Sequence, residues 1–301
     1  MSTTTHRGLA FALLTAVVSG FAVFVNGLAV RRFDDATVYT TAKNLIAGVL
    51  LVTAAITVGR VAHDRPKVPR RSWPALGAIA AIGGAVPFVL FFEGLSRATS
   101  TNAAFIHKTL VVWVAIGATL LLKERVTMVH AGAIGLLLLG HLVLTGGLGA
   151  ATFGSAEILV LAATLSWSTE VIVLKRLLPA VAPDVAAAAR MAGGSVLLVG
   201  WVALRGDLGA LVGLEAGQWA WVLLTGSTLA GFVTVWYTAL SLAQAVDVTA
   251  VLVLGAVITG LLNSGFRDVP LTADSYGFVF IALGVAAIAA RTLTSPSARS
   301  T

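Results

Sequence analysis

Ten stretches of about 20 mostly apolar residues follow one another along this chain with only short connections between them. They run over 8–30, 36–59, 73–92, 98–122, 128–145, 154–174, 183–204, 217–240, 247–266 and 274–291. In hydrocarbon every backbone N–H and C=O must find its partner inside the protein, which leaves helices and closed barrels as the spanning structures. Continuous apolar runs, rather than alternation, select helices. Hydrophobic residues make up 58% of the 301 and charged residues 11%, too little polar surface for a soluble domain of this size. The expected fold is an all-α polytopic membrane protein of ten transmembrane helices. The first run is longer than a signal-peptide core and is read as a retained span.

Loop charge sets the expected topology. With the N-terminus inside, the cytoplasmic positions hold Arg7, Arg60, Arg65, Lys67, Arg70, Arg71, Lys123, Arg125, Lys175, Arg176, Arg291 and Arg299, twelve in all. The outside positions hold five: Arg31, Arg32, Arg97, Arg205 and Arg267. The bias places both termini in the cytoplasm and requires an even number of spans. Short loops and the absence of cysteine fit a prokaryotic inner membrane.

Several function classes drop out. The basic excess lies in short loops rather than on a soluble basic face, so nucleic acid is not an expected partner. Without cysteine there is no disulfide, thiol catalysis or thiolate metal site. The five histidines show no paired ligand spacing, so neither metal nor cofactor is expected. The remaining partners are the lipid bilayer and a small-molecule substrate, with the protein a monomer or homodimer.

Weak internal repeats divide the chain into 1–147 and 148–301. Val38 to Lys43, ending Val49 to Val52, matches Val185 to Arg190, ending Val196 to Val199, at an offset of 147. Leu95, Ser96 and Ala98 match Leu240, Ser241 and Ala243 at 145, followed by Thr127 onto Thr272 and Gly132 onto Gly277. Five spans per copy is an odd number, so the second copy enters the membrane upside down. Two inverted five-helix repeats around a central cavity is an architecture of secondary transporters.

Local motifs carry a resemblance. Leu120-Leu-Leu-Lys-Glu124-Arg-Val-Thr127, followed by Gly132, resembles an apolar run ending in Glu-Arg-Leu-Thr between the fourth and fifth helices of EamA-type members of the drug/metabolite transporter superfamily. Lys43 and Arg190 match that family's basic position in the second helix of each repeat. Gly83-Gly84 with Pro87 resembles its third-helix pattern, and Ser166-Trp167 its opening of a repeat. Val269-Pro270-Leu271-Thr272 departs from the second Glu-Arg, Ser19-Gly20 lacks the tryptophan, and His107-Lys108 faces Leu252 and Val253 in the other copy. The resemblance implies proton- or exchange-coupled movement of small metabolites, often export.

Charges inside spans are the candidate site residues, because burying them is costly unless they serve a pathway or a partner. Lys108 comes first: it either lines a cavity, as a cationic donor for carboxylate or phosphate, or pairs to hold the bundle. His107 beside it is a candidate for proton exchange, imidazole being the side chain suited to it. Lys43 and Arg190 are expected to flank the substrate from either side, with Asn44 adjacent. Glu170 is expected to carry a coupling proton or to pair with Arg190 or Lys175. Trp167, three residues earlier on the same helix face, is expected to wall the cavity. Trp73, Trp219, Trp221, Trp236 and Tyr237 read as an interfacial belt, Trp113 as core, and Gly132/Gly135 and Gly193/Gly194 as points of close helix approach. His141 reads as structural. Cationic groups outnumber Glu170, which favours an anionic or zwitterionic metabolite such as an amino acid or organic acid. A membrane enzyme on a lipid-linked substrate would need HExxH, GxSxG or paired acids, which are missing. A scaffold would have no use for repeat symmetry.

Overall fold

In the computed structural model the described residues are 3–61, 67–95, 97, 103, 106–144, 154–267 and 275–294. They are helical, with no strand among them. The helices are α1 Thr3–Ala29, α2 Ala36–Val61, α3 Trp73–Gly84, α4 Val86–Leu95, α5 Leu110–Gly117 running into a π turn at Ala118–Leu122, α6 Met128–Leu144, α7 Ser155–Leu177, α8 Pro183–Leu204, the short α9 Leu208–Val212, α10 Ala216–Leu242, α11 Ala245–Leu252, α12 Gly255–Arg267 and α13 Ser275–Thr294.

Among the described residues, seven continuous stretches are long and apolar enough to cross a bilayer: His6–Arg32, Ala36–Val61, Arg70–Gly94, Ser155–Leu177, Pro183–Leu204, Ala216–Leu242 and Ala245–Phe266. Ile106–Leu122, Met128–Gly140 and Tyr276–Arg291 are apolar but shorter. Val49, Leu120, Val196 and Leu204 stand exposed on the outside of the bundle. Such a surface would aggregate in water and is solvated by lipid chains. The protein is an integral membrane protein.

The packing of the two halves is reciprocal. The α1 helix packs on α10 as α7 packs on α4, and α1 meets α11 and α12 as α7 meets α5. The α2 helix packs on α10 as α8 packs on α3, while α2 with α8 and α6 with α13 form self-matching pairs. Small residues let these backbones close, since lipid supplies no hydrophobic force between helices and packing must do so. A Cβ on Gly84 would strike the Arg190 carbonyl, and one on Gly226 would lie 2.9 Å from the Lys43 carbonyl, the same contact in each half. Gly193 and Gly194 lie against α3 as expected. Gly132 and Gly135 meet nothing within 4 Å; the α6–α13 approach uses Gly140 and Gly284 instead.

Two apolar stretches are interrupted. The third breaks at Ala85, because Pro87 has no N–H and its ring crowds the carbonyl four residues back. The ninth breaks at Val253 and Leu254, ahead of Gly255, which packs onto α1 at Ala16 and Gly20.

Candidate functional site

The proline that breaks the third stretch also prepares an acceptor. Pro87 leaves the Gly83 carbonyl without its helical donor. Two donors from the other half take it: Trp167 Nε1 at 3.1 Å and Arg190 Nη2 at 3.1 Å. Ser166 Oγ donates to the neighbouring Ile82 carbonyl at 2.8 Å. Thus Gly83-Gly84 with Pro87 and Ser166-Trp167, two separate motifs in the sequence, form one interaction between α3 and α7.

Arg190 lies buried over this carbonyl. Its Nε stands 3.9 Å from Glu170 Oε1, and Tyr237 donates its hydroxyl to the same oxygen at 2.5 Å. The Arg190 guanidinium also lies 5.9 Å from the centre of the Tyr237 ring. Glu170, 2% exposed, is therefore neutralised by Arg190, while Lys175 turns away to the carbonyls of Leu240 and Ala243. Tyr237 and Trp236 are buried parts of the core, not members of an interfacial belt. Their place on α10 near the end of an apolar run suggested the belt; the inward face of the helix decides otherwise. Trp113 is corrected in the opposite sense, since it stands partly exposed with its Nε1 on Thr109 Oγ1 at 3.0 Å.

Lys43 repeats the arrangement in the first half with one change. Its Nζ donates to Asn26 Oδ1 at 2.8 Å, and the Tyr39 hydroxyl donates to the same oxygen at 2.7 Å. The ammonium also lies 5.0 Å from the Tyr39 ring centre and 5.7 Å from that of Phe92. Among the described residues no carboxylate meets Lys43. Asn26, Tyr39, Tyr237 and Phe92 were not singled out as site residues in the sequence; the only signal was Asn26 as a polar residue inside an apolar run.

An aromatic strip joins the two clusters. Phe92 meets Phe91, Phe91 meets Trp167 at 5.7 Å, and Phe88 packs edge-on against Trp167 at 5.4 Å. His107 closes the strip, 5.0 Å from Trp167 and 5.4 Å from Phe91. Lys43, His107 and Trp167 are thus connected through aromatic side chains, and Trp167 joins Arg190 and Glu170 through the Gly83 carbonyl. Lys108 is half-buried near the start of the described part of Ile106–Leu122, with no hydrogen bond or ion pair to any described residue. On α2, Thr40 Oγ1 and both side-chain polar atoms of Asn44 are buried without a protein partner. One helical turn apart, they form a polar stripe beside Lys43 that water or a ligand would satisfy. The side chain of His141 and residues 268–274, with the departed motif at Val269, lie outside the described residues.

Both ends of the bundle are tied across the halves. At the end rich in Lys and Arg, the π turn closes on Lys123, whose φ of 57° is left-handed. Glu124 then turns onto the start of α11, accepting from the N–H groups of Ala245 at 3.0 Å and Val246 at 3.4 Å, where the helix dipole favours an anion. At the opposite end Arg205 reaches Asp35 at 2.7 Å, and Gln218 donates to the Arg32 carbonyl at 2.9 Å.

The EamA-like transporter family model matches residues 6–146 and again residues 154–290. One solved crystal structure of a protein superposes with a TM-score of 0.72 at 17% identity, covering 96% of this chain and 98% of that one, a likeness of fold. A search of curated proteins finds no match. With two copies of the family's repeat filling nearly its whole length, the chain belongs to the EamA-like transporter family of the drug/metabolite transporter superfamily.

Proposed function

We propose that the protein is a secondary transporter that moves a small anionic or zwitterionic metabolite, an amino acid or organic acid, by alternating access. Its ten apolar stretches are taken as ten spans in two inverted five-helix repeats, 1–147 and 148–301, with the basic end cytoplasmic and the membrane a prokaryotic inner one. Reciprocal packing of the halves supports this arrangement, because a two-fold axis in the membrane plane exchanges each span with the one five places on. The substrate site lies along Lys43, Asn44, His107, Lys108, Trp167 and Arg190. Glu170, bound between Arg190 and Tyr237, carries the coupling proton; releasing it from Arg190 is the step that a proton or an incoming substrate anion would drive.

One observation carries the choice of substrate charge: Lys43 is a buried lysine whose hydrogen-bond partner is a neutral amide. A buried charge is tolerated when it is paired, and an anionic ligand supplies the missing half. Ligands that bind the native state raise the melting temperature. Anionic and zwitterionic metabolites are expected to stabilise the purified protein, and Lys43→Met and Lys108→Met to remove that effect. Stabilisation by organic cations alone, retained in both variants, overturns the reading.

A further inference from the structure

At the basic end, behind Thr127, lies a buried histidine outside the proposed transport site. Thr127 precedes α6 and His130 is its third residue. The Thr127 N–H donates to His130 Nδ1 at 2.9 Å. This is the geometry of a capping box, in which the third helical residue reaches back to the cap's N–H. Two other helices begin the same way: Gly154 N–H donates to Glu157 at 2.9 Å, and Glu215 N–H to Gln218 at 3.0 Å. In α6 an imidazole takes the place of the carboxylate or amide.

That bond fixes the state of the ring. An Nδ1 that accepts a hydrogen bond holds no proton, so the proton of neutral His130 sits on Nε2. Nε2 then donates to Asp247 Oδ1 at 2.9 Å, on α11 of the other half. Both groups are buried. The charged groups around them come from every element packed there. Arg291 on α13 has Nη1 at 3.9 Å from Asp247 and Nε on Thr127 Oγ1 at 3.2 Å. Lys175 on α7 lies 3.9 Å from Glu124. With His130 neutral, the two anions Glu124 and Asp247 face the two cations Lys175 and Arg291, and the exposed Lys123 and Arg125 of the connection add positive charge that water screens.

We propose that His130 Nδ1 is a proton-binding site, separate from Glu170, whose occupation breaks the cap of α6 and loosens the connection 123–127 where it grips the second half. A proton from solution adds to the Nδ1 lone pair. The new N–H faces the Thr127 N–H, two donors that repel, so the Thr127 N–H loses its acceptor. Thr127 Oγ1, already 3.3 Å from Nδ1, is the acceptor to which the protonated ring turns. The bond from Nε2 to Asp247 survives, so the proton acts on the connection and not on the His130–Asp247 tie. It also leaves one unbalanced positive charge in a buried cluster, which has to be relieved by admitting water or opening the end. Thr127 is exposed, so the proton needs to pass only one residue.

The test uses the full chain in lipid nanodiscs. ¹⁵N-histidine spectra, with the His130→Gln variant identifying the signal, should show the Nε2–H neutral form at pH 8 and the doubly protonated ring at lower pH within 5 to 8. The chain has no cysteine, so a single Val126→Cys reports on the connection. Its maleimide labelling rate, taken at each pH as a ratio to that of the Val126→Cys/His130→Gln double variant so that the falling thiolate fraction cancels, should rise several-fold from pH 8 to pH 5, since glutamine caps as Gln218 does but takes up no proton. An Nδ1–H form at pH 8, no titration between 5 and 8, or a pH dependence unchanged by His130→Gln overturns the proposal. Neither readout requires transport, so failure of the transport reading would be seen separately.

Discussion

Lys43 and Arg190 occupy the same place in the two halves, the eighth residue of α2 and of α8, yet they are held in different ways. Each is buried and faces, on the first helix of its own half, an acceptor of a tyrosine hydroxyl; Lys43 donates to it at 2.8 Å, whereas Arg190 stands 3.9 Å away as an ion pair and donates to the Gly83 carbonyl. For Arg190 the acceptor is the carboxylate of Glu170; for Lys43 it is the amide of Asn26. The second half therefore pairs its basic group with a carboxylate, and the first holds its basic group with no opposing carboxylate among the described residues. Matching helix contacts in the two halves supply the frame, and an amide in place of a carboxylate leaves Lys43 without the partner that Arg190 has.

The largest test breaks the paired half. Glu170→Ala strands Arg190 in a buried site and is expected to cost about 3–5 kcal/mol, as when one member of a buried ion pair is removed. Thermal unfolding in detergent measures it. Lys43→Met removes a basic group that has no such partner and is expected to leave the melting temperature unchanged or raised. Equal losses for both would mean that the two halves are held alike and would end the comparison.

The next test acts on the backbone that supports Arg190. A Cβ on Gly83 would lie 2.5 Å from Glu170 Cγ and 3.1 Å from Arg190 Nε. Gly83→Ala should therefore cost about 1–3 kcal/mol by overpacking. Gly77→Ala, on the same helix with nothing within 4 Å, is the control and should be neutral or better.

The same pair of residues shows what was legible in the chain. Long apolar runs gave the helices, and the 147-residue offset placed Lys43 opposite Arg190 before any contact was known. The pairing of Glu170 with Arg190 was one of two alternatives that helix depth left open. What depth could not show is which way a side chain faces. Tyr237 reads as interfacial from its position in the run, but the face of α10 it occupies points at Glu170. Trp113 reads as core and faces outward. Asn26 and Tyr39 are thirteen positions apart on different helices, and only the turn at 30–35 brings the Tyr39 hydroxyl to the Asn26 amide oxygen. The freed Gly83 carbonyl was readable in principle from Pro87, but its two donors come from two helices, α7 and α8, that begin about 70 and 100 residues later. The Glu124 motif was recognised as a pattern; its physical content, an anion capping a helix in the other half, needed the fold.

A smaller test makes the first half resemble the second. Asn26→Asp gives Lys43 a carboxylate at the position of the present amide oxygen. The protein should keep or gain stability, while stabilisation by anionic ligands should fall by about tenfold in affinity, or 1.4 kcal/mol. Isothermal titration with the best ligand from the panel reads this. Unchanged affinity would remove Lys43 from the substrate site and leave Lys108 as the cation to pursue.

The smallest effect concerns how α2 is started. Asp35 accepts from the N–H groups of Thr37 at 2.6 Å and Val38 at 3.1 Å, capping the helix that carries Tyr39 and Lys43, and it also meets Arg205 of the other half. The helix carrying Arg190 starts differently, with Pro183 at its first position and no side-chain cap bond. Partial burial pushes the Asp35 carboxyl up, but the two N–H groups and Arg205 more than reverse this and leave it below its usual value. A carboxyl lowered in the folded state contributes stability that is present above its unfolded value, near 3.9, and is lost as pH falls through the folded value. Acid should therefore weaken the start of α2 in the wild type but not in Asp35→Asn, which caps without titrating. Asp35→Ala should cost about 1 kcal/mol at neutral pH, and the difference in melting temperature between Asp35→Asn and wild type should narrow below pH 4. A constant difference across that range would show that Arg205 and the cap are too solvated to matter, and that α2 is held in register by its packing on α8 alone.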